Sequence, residues 1–226
     1  MKATVSLSFM LLGVVFCACL VASNLLETKI LQFGPVTITA GFLVFPISYI
    51  INDCIAEVWG FRKARLIIWL GFAVNFAMVA LFQLAVALPA APFWEGDAAF
   101  RFIFGLAPRI AAASLAAFLL GSFLNAYVMS RMKIASRGKH FSARAVLSTL
   151  AGESADSLIF FPLAFGGLVP VQELVKMMAI QIFAKTAYEI VVLPVTIRVV
   201  NFLKKIEESD AYDTDISYNI LKIREL

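Results

Sequence analysis

Charged residues and histidine are scarce in this sequence. Asp, Glu, Lys and Arg make up 15% of the 226 residues, whereas soluble domains carry about 25%. The single histidine, His140, lies in a basic stretch between apolar segments. The low charge excludes a soluble domain of useful size, and one histidine argues against a catalytic Ser–His pair or a histidine-based metal site. We therefore expect no enzyme activity, no cofactor and no bound metal.

Cysteines are also few, and phosphate-binding glycine motifs are missing. Cys17, Cys19 and Cys54 all lie in apolar segments, where a free cysteine behaves as a small hydrophobic residue. They match neither a disulfide framework nor a metal-ligand pattern, and no Walker-type loop is present. The net charge of +4 comes mainly from residues at the ends of apolar segments, so it does not predict nucleic-acid binding.

Long apolar segments dominate the chain. Hydrophobic residues make up 62% of it, and its mean hydropathy is +0.90. A membrane-crossing helix needs about 20 mostly apolar residues. We predict an all-α polytopic membrane protein with six transmembrane helices, at about residues 5–26, 37–59, 64–88, 102–132, 143–165 and 171–203. The first segment continues through Leu26, which is too long for a signal peptide.

The predicted helices form one six-helix transmembrane domain, residues 1–203, followed by a tail of residues 204–226. Basic residues are concentrated at Lys2, in the loops after the second and fourth predicted helices, and at Lys204 and Lys205. All of these positions lie on one side of a six-helix topology. Because cytoplasmic loops carry an excess of Lys and Arg, both termini are predicted to be cytoplasmic. We expect the acidic tail to be solvated there.

Acidic residues inside the apolar segments are the main anomaly. Asp53 and Glu57 are four residues apart, and Glu153 and Asp156 are three apart, so each pair shares a helix face. A carboxylate that faces hydrocarbon costs several kcal/mol, and such residues usually face a bundle interior or a water-filled cavity. The other polar residues inside the predicted helices include Asn24, Asn52, Arg109, Asn125, Ser148, Ser157, Gln181, Lys185 and Glu189.

These polar residues have a structural and a functional interpretation. In the structural one, Arg109 neutralises a carboxylate and Lys185 pairs with Glu189, four residues away. Acids outnumber bases, however, and surplus acceptors in a bundle predict a ligand with hydrogen-bond donors, or a transported cation or proton. Tyr49, Phe160 and Phe161 lie beside the acids, and their rings would stack on a planar heterocycle.

Two long motifs carry a family resemblance. FPISYIINDCIAEVWGFRKAR, from Phe45 to Arg65, and STLAGESADSLIFF, from Ser148 to Phe161, resemble signatures of the queuosine precursor transporter family. Asn24, Arg109 and Lys185 also resemble family positions. The resemblance covers essentially the whole chain through the sixth predicted helix. Glu153 departs from it, because the family pattern has an amide there.

The resemblance implies uptake of 7-deazaguanine bases (queuine, preQ1 or preQ0) across the bacterial inner membrane for tRNA modification. It also implies a fold similar to the substrate-binding subunits of energy-coupling-factor vitamin transporters, and transport without an obligate ATPase. Whether the chain forms a homodimer is left open. We hypothesise that the second and fifth predicted helices face each other, and that Glu153 and Asp156 clamp the guanine-like edge. The remaining substrate-binding candidates are Asn24, Tyr49, Asn52, Asp53, Glu57, Ser148, Ser157, Phe160, Phe161 and Lys185.

Other interpretations remain open on the sequence alone. The same carboxylates would serve a proton- or cation-coupled importer of another small heterocycle or vitamin, and a substrate-binding subunit that needs an ATPase would have similar segments. Within the second predicted helix, Asp53 is deeper and is the better ligand candidate. Glu57 is nearer to Arg62 and Arg65 and is expected to act as a gate or as a structural partner.

Overall fold

Seven α-helices and one β-hairpin are found in the part of the chain that the computed structural model describes, residues 6–26, 29–33, 36–105, 108–167, 170–214 and 216–222. The helices are α1 (Leu7–Leu26), α2 (Phe45–Trp59), α3 (Phe61–Ala87), α4 (Asp97–Phe104), α5 (Pro108–Ala135), α6 (Phe141–Phe165) and α7 (Val171–Glu207). A short 3₁₀ helix, Ala40–Leu43, leads into α2. The predicted all-α polytopic class is confirmed, apart from the hairpin.

Five helical segments are long and apolar enough to cross a bilayer. They are Leu7–Leu26, Ala40–Trp59, Phe61–Ala87, Ala112–Ala135 and Val171–Glu207. Helix α6 has 25 residues, which also exceeds the length that a bilayer requires. Its acidic and small polar residues make it less apolar than the other five, because it carries much of the polar interior.

The hairpin connects α1 to α2. Strands β1 (Ile30–Phe33) and β2 (Val36–Thr39) pair in antiparallel register, with Ile30 opposite Thr39 and Phe33 opposite Val36. Gly34 and Pro35, a dipeptide typical of turns, separate the two strands in the sequence and lie outside the described part. The apolar segment predicted from residue 37 therefore begins as a strand and becomes helical only at Ala40.

The predicted fourth transmembrane helix, residues 102–132, is wrong at its start. The short helix α4 ends where the Gly105 N–H bonds to the Arg101 carbonyl. Helix α5 then begins at Pro108, and proline suits the first turn of a helix because the N–H that it lacks would be unpaired there. The apolar composition continues across this break, so hydropathy alone merges the two helices.

Helix α2 lies at the centre of the bundle. Twelve of its 15 residues are buried, and it contacts α1, α3, α5, α6 and α7. A helix that is buried on all sides is surrounded by other elements. The polar side chains of α2 therefore point into the protein and not into lipid.

Helices α5 and α6 pack closely at two glycines. A Cβ atom placed on Gly121 would lie 2.9 Å from the Gly152 carbonyl oxygen, and one placed on Gly152 would lie 2.9 Å from that of Gly121. Small residues allow such close backbone approach between membrane helices. The Tyr49 ring lies against both glycines, so the crossing brings α6 next to α2.

The C-terminal strap, residues 208–214 and 216–222, packs against the ends of α2, α3 and α5. The Asp213 carboxylate accepts hydrogen bonds from the Phe61 N–H (2.9 Å) and from the Ser130 hydroxyl. Arg65 donates to the carbonyls of Ser217 and Asn219. The expectation of a solvated tail is wrong here, because the strap supplies partners for exposed backbone groups at the helix ends.

Candidate functional site

A buried ionic cluster joins α6 to α7. The Lys185 Nζ atom lies 2.8 Å from Oε2 of Glu153 and 3.7 Å from Oδ2 of Asp156. All three residues are buried, with at most 7% of any residue exposed. Their charges require close compensation, because isolated charges are strongly disfavoured in such an environment. The two acids predicted to share a helix face do so, and Lys185 links both of them to α7.

The predicted pairing of Lys185 with Glu189 is not formed. Lys185 reaches across to α6, and neither carboxylate oxygen of Glu189 makes a hydrogen bond. The long lysine side chain compensates two acids on the neighbouring helix instead of one on its own. Glu153 can still accept hydrogen bonds. Its 2.8 Å ion pair with Lys185 lacks hydrogen-bond geometry, so neither carboxylate oxygen of Glu153 has a hydrogen-bond partner.

Aromatic rings enclose this cluster. The Lys185 Nζ atom lies 3.8 Å from the centroid of the Phe45 ring, within the range of a cation–π contact. Phe160 and Phe161 pack edge to face, with ring centroids 5.4 Å apart. A small cavity is lined by Phe45, Ser114, Asp156, Phe160, Phe161, Gln181 and Lys185.

The cavity is narrow in this conformation. Its water-accessible volume is about 20 Å³, which is room for roughly one water molecule. Charged, amide and hydroxyl groups converge on it from α5, α6 and α7, and rings from α2 and α6 form its apolar walls. It therefore combines apolar walls with a few polar groups, as expected of a small-molecule site, but it must widen before a heterocycle can enter.

Asn24 lies behind the cavity wall. Its Nδ2 donates to Oδ1 of Asn75 at 2.6 Å, and its Oδ1 accepts a hydrogen bond from Ser114 at 3.1 Å. Ser114 is one of the residues that line the cavity. Asn24 thus orients a lining residue and links α1 to α3 and α5.

A second polar level lies one helical turn away, around Asp53. The Ser148 hydroxyl is 3.3 and 3.4 Å from the two Asp53 oxygens, so α2 and α6 do meet there. Asn52 Nδ2 donates to the Asn125 side chain at 2.6 Å and to the Ser122 carbonyl at 3.2 Å. The amide donors of Asn52 are therefore occupied by α5, and its free oxygen is an acceptor.

Two further predicted site residues lie between these levels. The Tyr49 hydroxyl and the Ser157 hydroxyl are buried without a hydrogen-bond partner. Arg109 belongs to α5, but its side chain lies outside the described part of the chain. Its predicted pairing with an interior carboxylate is therefore not addressed.

Glu57 forms a third ionic level, near the ends of α5, α6 and α7. Arg144 donates to both of its carboxylate oxygens, and Lys204 approaches Oε1 to 2.6 Å. Lys133 lies 3.7 Å from the same oxygen. The described cations beside Glu57 therefore come from α5, α6 and α7, in line with the expected role of Glu57 as a structural partner. Arg65 is directed towards the C-terminal strap, because that strap covers the start of α3.

Asp210 of the C-terminal strap completes the third level. It lies 2.5 Å from Lys133 and 2.8 Å from Lys204. Partial burial alone would raise the pKa of its carboxyl group, but hydrogen bonds from Lys133 and Lys204 outweigh burial and hold that pKa below its usual value. The strap thus contributes a negative charge to a cluster that otherwise has a surplus of cations.

The sequence reasoning missed several of these partners. It assigned Arg144, Lys133 and Lys204 to cytoplasmic anchoring, and it did not single out Phe45 or Ser114. One signal was present, because Arg144 lies four residues before Ser148 and so shares a face of α6 with this polar residue. Pairing between different helices gives no comparable pattern within one segment.

The sequence profile of a family described as "Putative vitamin uptake transporter" matches residues 39–199. This range includes the α2, α6 and α7 residues of the three polar levels except Lys204, which lies just beyond it. The chain belongs to this family.

Relatives of this family member carry transporter names. It is 27% identical over 175 residues to the "Probable queuosine precursor transporter" of Bacillus subtilis (strain 168), a match that covers 77% of this chain and 76% of that protein. It is 30% identical over 127 residues to the "Queuosine precursor transporter" of Escherichia coli (strain K12), covering 56% and 55% of the two chains. The corresponding Haemophilus influenzae protein is also 30% identical, over 128 residues, covering 56% of this chain and 52% of the relative.

The predicted relationship to queuosine precursor transporters is therefore confirmed. Two of the three matches span only slightly more than half of the relative's own length. No solved structure matches this family member.

Proposed function

We propose that this protein imports queuosine precursors, the 7-deazaguanine bases queuine, preQ1 or preQ0, across a bacterial inner membrane. The observation that carries the proposal is the Glu153–Asp156–Lys185 cluster beside a ring-lined cavity in a relative of proteins named queuosine precursor transporters. Those relatives are named as transporters, which agrees with the expectation of no enzyme activity.

The chemistry of the cluster fits the edge of a guanine-like base. A 7-deazaguanine is planar and donates hydrogen bonds from a ring N–H and an amino group. Asp156, which lines the cavity, and Glu153, whose oxygens lack hydrogen-bond partners, would accept these bonds. Lys185 would donate to the 6-oxo oxygen, and Phe45, Phe160 and Phe161 would contact the faces of the base.

Substrate entry requires the site to open. The cavity admits roughly one water molecule, so we infer that Lys185 and the facing parts of α6 and α7 move apart when the base binds. Lys185 sits against Asp156 at 3.7 Å, longer than a hydrogen bond. The base would then displace Lys185 from Asp156 and use the same acceptors.

We also propose that α6 is a sixth membrane crossing. Its 25 residues suffice for a span, and its polar face is turned to α5 and α7 in the bundle. Six crossings place both termini in the cytoplasm by the positive-inside rule. The arrangement would then resemble the substrate-binding subunits of energy-coupling-factor transporters, working without an obligate ATPase.

Asp156→Asn should abolish uptake while leaving the protein in the membrane. The substitution weakens a charge-assisted acceptor worth about 1.5–3 kcal/mol, which corresponds to about 10- to 100-fold in affinity. The measurement is the queuosine content of tRNA in a precursor-requiring bacterium that lacks its own transporter, fed each base in turn. Asp97→Asn in the exposed helix α4 is the matched control. Normal uptake by Asp156→Asn would contradict the assignment.

Glu153 is expected to set the preference between bases. The preQ1 base carries a cationic aminomethyl group, which a carboxylate favours over the neutral nitrile of preQ0. Glu153→Gln should therefore weaken preQ1 binding about tenfold more than preQ0 binding, a difference of about 1.4 kcal/mol. Binding to the purified protein in detergent measures both. An equal effect on the two bases would exclude this role for Glu153.

A vitamin or another heterocycle is the second candidate substrate class, because the family description names vitamin uptake. The same acceptors and rings would serve any planar base with adjacent donors. Competition of labelled queuine uptake by a panel of vitamins and nucleobases separates the two classes. Co-purification with an ATPase pair would support the binding-subunit alternative.

A further inference from the structure

Asp53 and Glu189 form a pair of neighbouring acids that the proposed substrate site does not use. Asp53 lies on α2 and Glu189 on α7, and the exposed fractions are 0% and 1%. The two carboxyl groups are close enough to interact with one another. Neither lines the cavity, whose lining residue on α7 nearest to Glu189 is Lys185, four residues earlier.

This pair has no cation beside it among the described residues. Glu57 is compensated by Arg144, Lys133 and Lys204. Glu153 and Asp156 share Lys185. No basic side chain of the described part lies within 4 Å of an oxygen of Asp53 or Glu189, so this acid pair differs from the levels on either side of it.

Unpaired polar atoms converge on the same place. The Thr149 hydroxyl lies next to Glu189, and the Asn125 amide lies next to Asp53. Thr149 Oγ1, Asn125 Nδ2 and both Glu189 oxygens are buried without a hydrogen bond of normal geometry. The Asn125 amide can only donate towards Asp53, whereas the Thr149 hydroxyl and both Glu189 oxygens can accept. Buried polar groups are normally paired, so these unpaired acceptors point to a cation that they share.

Two neighbouring carboxyl groups in a low-dielectric interior cannot both remain ionised without a positive charge. A proton held between them, or a Na⁺ ion held by carboxylate and hydroxyl oxygens, supplies that charge. We propose that the Asp53–Glu189 pair binds one monovalent cation, H⁺ or Na⁺, and that this cation couples to transport. The binding is independent of the substrate, whereas the coupling rests on the proposed transport function.

The acid pair lies close to both ionic clusters, so a cation bound there can influence them. Glu189 is one helical turn from Lys185, and Asp53 is one turn from Glu57, so each acid lies about 6 Å along its helix from an ionic cluster. The ionisable groups around it are Glu153 and Lys185 on one side, Cys54 and Glu57 on the other, and Tyr49 on α2. A change in charge here alters the field at both clusters.

The first experiment uses no transport substrate. Purified protein in detergent is compared with Glu189→Gln and Asp53→Asn, and with Glu173→Gln as a matched control on the exposed start of α7. If Na⁺ is bound, NaCl raises the melting temperature of the wild type above its value in choline chloride, and both interior variants lose this shift. If a proton is bound, the infrared band of a protonated buried carboxyl group is present in the wild type and is shifted or lost in both variants.

These outcomes decide the binding half of the proposal. Absence of both signatures in the wild type would overturn it, as would signatures that persist in Glu189→Gln and Asp53→Asn. Either variant alone tests the pair, since the two substituted residues lie on different helices. The wild-type measurements remain informative even if both variants misfold. Failure here would leave the proposed substrate site untouched.

The second experiment tests coupling in proteoliposomes with labelled queuine. With one proton per base, the wild type should accumulate the base about tenfold for each pH unit of gradient, because each tenfold ratio corresponds to about 1.4 kcal/mol. A Na⁺ gradient is the parallel arm. Glu189→Gln should retain gradient-independent exchange but lose this accumulation of about tenfold per unit, whereas Glu173→Gln should behave like the wild type. Loss of exchange in Glu189→Gln, or gradient-driven accumulation equal to the wild type, would overturn the coupling role.

Discussion

Single residues of the same type have very different surroundings in this bundle. Glu57 accepts from Arg144 and lies beside two lysines, while Asp53, one turn earlier on α2, has a serine and another acid as neighbours. The two belong to one motif, in which the sequence already favoured Asp53 as a ligand and Glu57 as a gate or structural partner. Their surroundings differ because basic side chains of α6 and α7 lie beside one turn of α2 and not beside the next.

A residue-scale prediction concerns Gly152, where α6 crosses α5. In Gly152→Ala the new Cβ would lie 2.7 Å from the Tyr49 ring and 2.9 Å from the Gly121 carbonyl oxygen. We expect the free energy of unfolding to fall by about 1–3 kcal/mol, as for other overpacked cores. Thermal unfolding in detergent measures this.

Gly13→Ala on α1 is the matched control for that substitution. Its Cβ would meet only the terminal methyl group of Ile67, at 2.9 Å, which a rotamer change can move. Replacing a glycine inside a helix by alanine otherwise favours folding by about 0.5–1 kcal/mol. If Gly152→Ala were at least as stable as Gly13→Ala, the close crossing would not be a constraint.

At the scale of elements, sequence periodicity predicted the long helices well. The last predicted segment, residues 171–203, corresponds to α7, Val171–Glu207, because a continuous apolar run has few competing structures. The break before Pro108 was missed, since apolar residues continue on both sides of it. The spacing of Glu153 and Asp156 predicted a shared face, but their partner Lys185 depends on how α6 packs against α7, which no single segment encodes.

The C-terminal strap was missed for a different reason. It is held by backbone carbonyls of Ser217, Asn219 and Ile220 that accept from Arg65 and Trp69. Any sequence presents such carbonyls, so they leave no pattern. Its acidic residues are typical of a solvated tail in the sequence. Their contacts with lysines become visible only in the three-dimensional structure.

An element-scale prediction follows from Asp210. Because hydrogen bonds to Lys133 and Lys204 lower its pKa in the folded protein, the ionised form stabilises the fold above the unfolded pKa of about 3.9, and this contribution is lost as pH falls through the lower folded value. Asp210→Asn should therefore lower the melting temperature at pH 7 by an amount corresponding to at most about 1 kcal/mol, since the carboxylate is largely exposed.

The difference between Asp210→Asn and the wild type should close below about pH 4. Thermal unfolding of both proteins across the acidic range tests this. Glu207→Gln, at an acid for which no ion pair is described, is the control and should show little change at either pH. A difference between Asp210→Asn and the wild type that persisted at low pH would exclude the electrostatic explanation.

For the whole molecule, polarity is layered along the bundle axis. The cavity cluster, the Asp53–Glu189 pair and the Glu57 cluster follow one another in this order, with Lys185 and Glu189 one turn apart on α7 and Asp53 and Glu57 one turn apart on α2. The three helices that line this axis all belong to the region matched by the family profile. A path for a small solute through the bundle would pass these levels in order.

The number of membrane crossings is the prediction at this scale. Val171, at the start of α7, is 76% exposed, and it lies outside the cell only if α6 crosses the membrane. In a background without Cys17, Cys19 and Cys54, Val171→Cys should react with a membrane-impermeant maleimide in intact cells, whereas Lys139→Cys should react only after permeabilisation. Phe93→Cys is the positive control. Protection of Val171→Cys in intact cells would leave α6 on the cytoplasmic side.

The composition of the Glu57 cluster has a consequence for biosynthesis. Glu57 lies on α2, but its partners Lys133, Arg144 and Lys204 lie on α5, α6 and α7. Because the N-terminal part of a chain is synthesised first, this carboxyl group leaves the ribosome well before any cation that will hold it. The ionic cluster around α2 is therefore completed only when the last helix has been made. A nascent chain that stops short of Lys204 would leave Glu57 without one of its cations, and we expect the cell's quality-control proteases to degrade it.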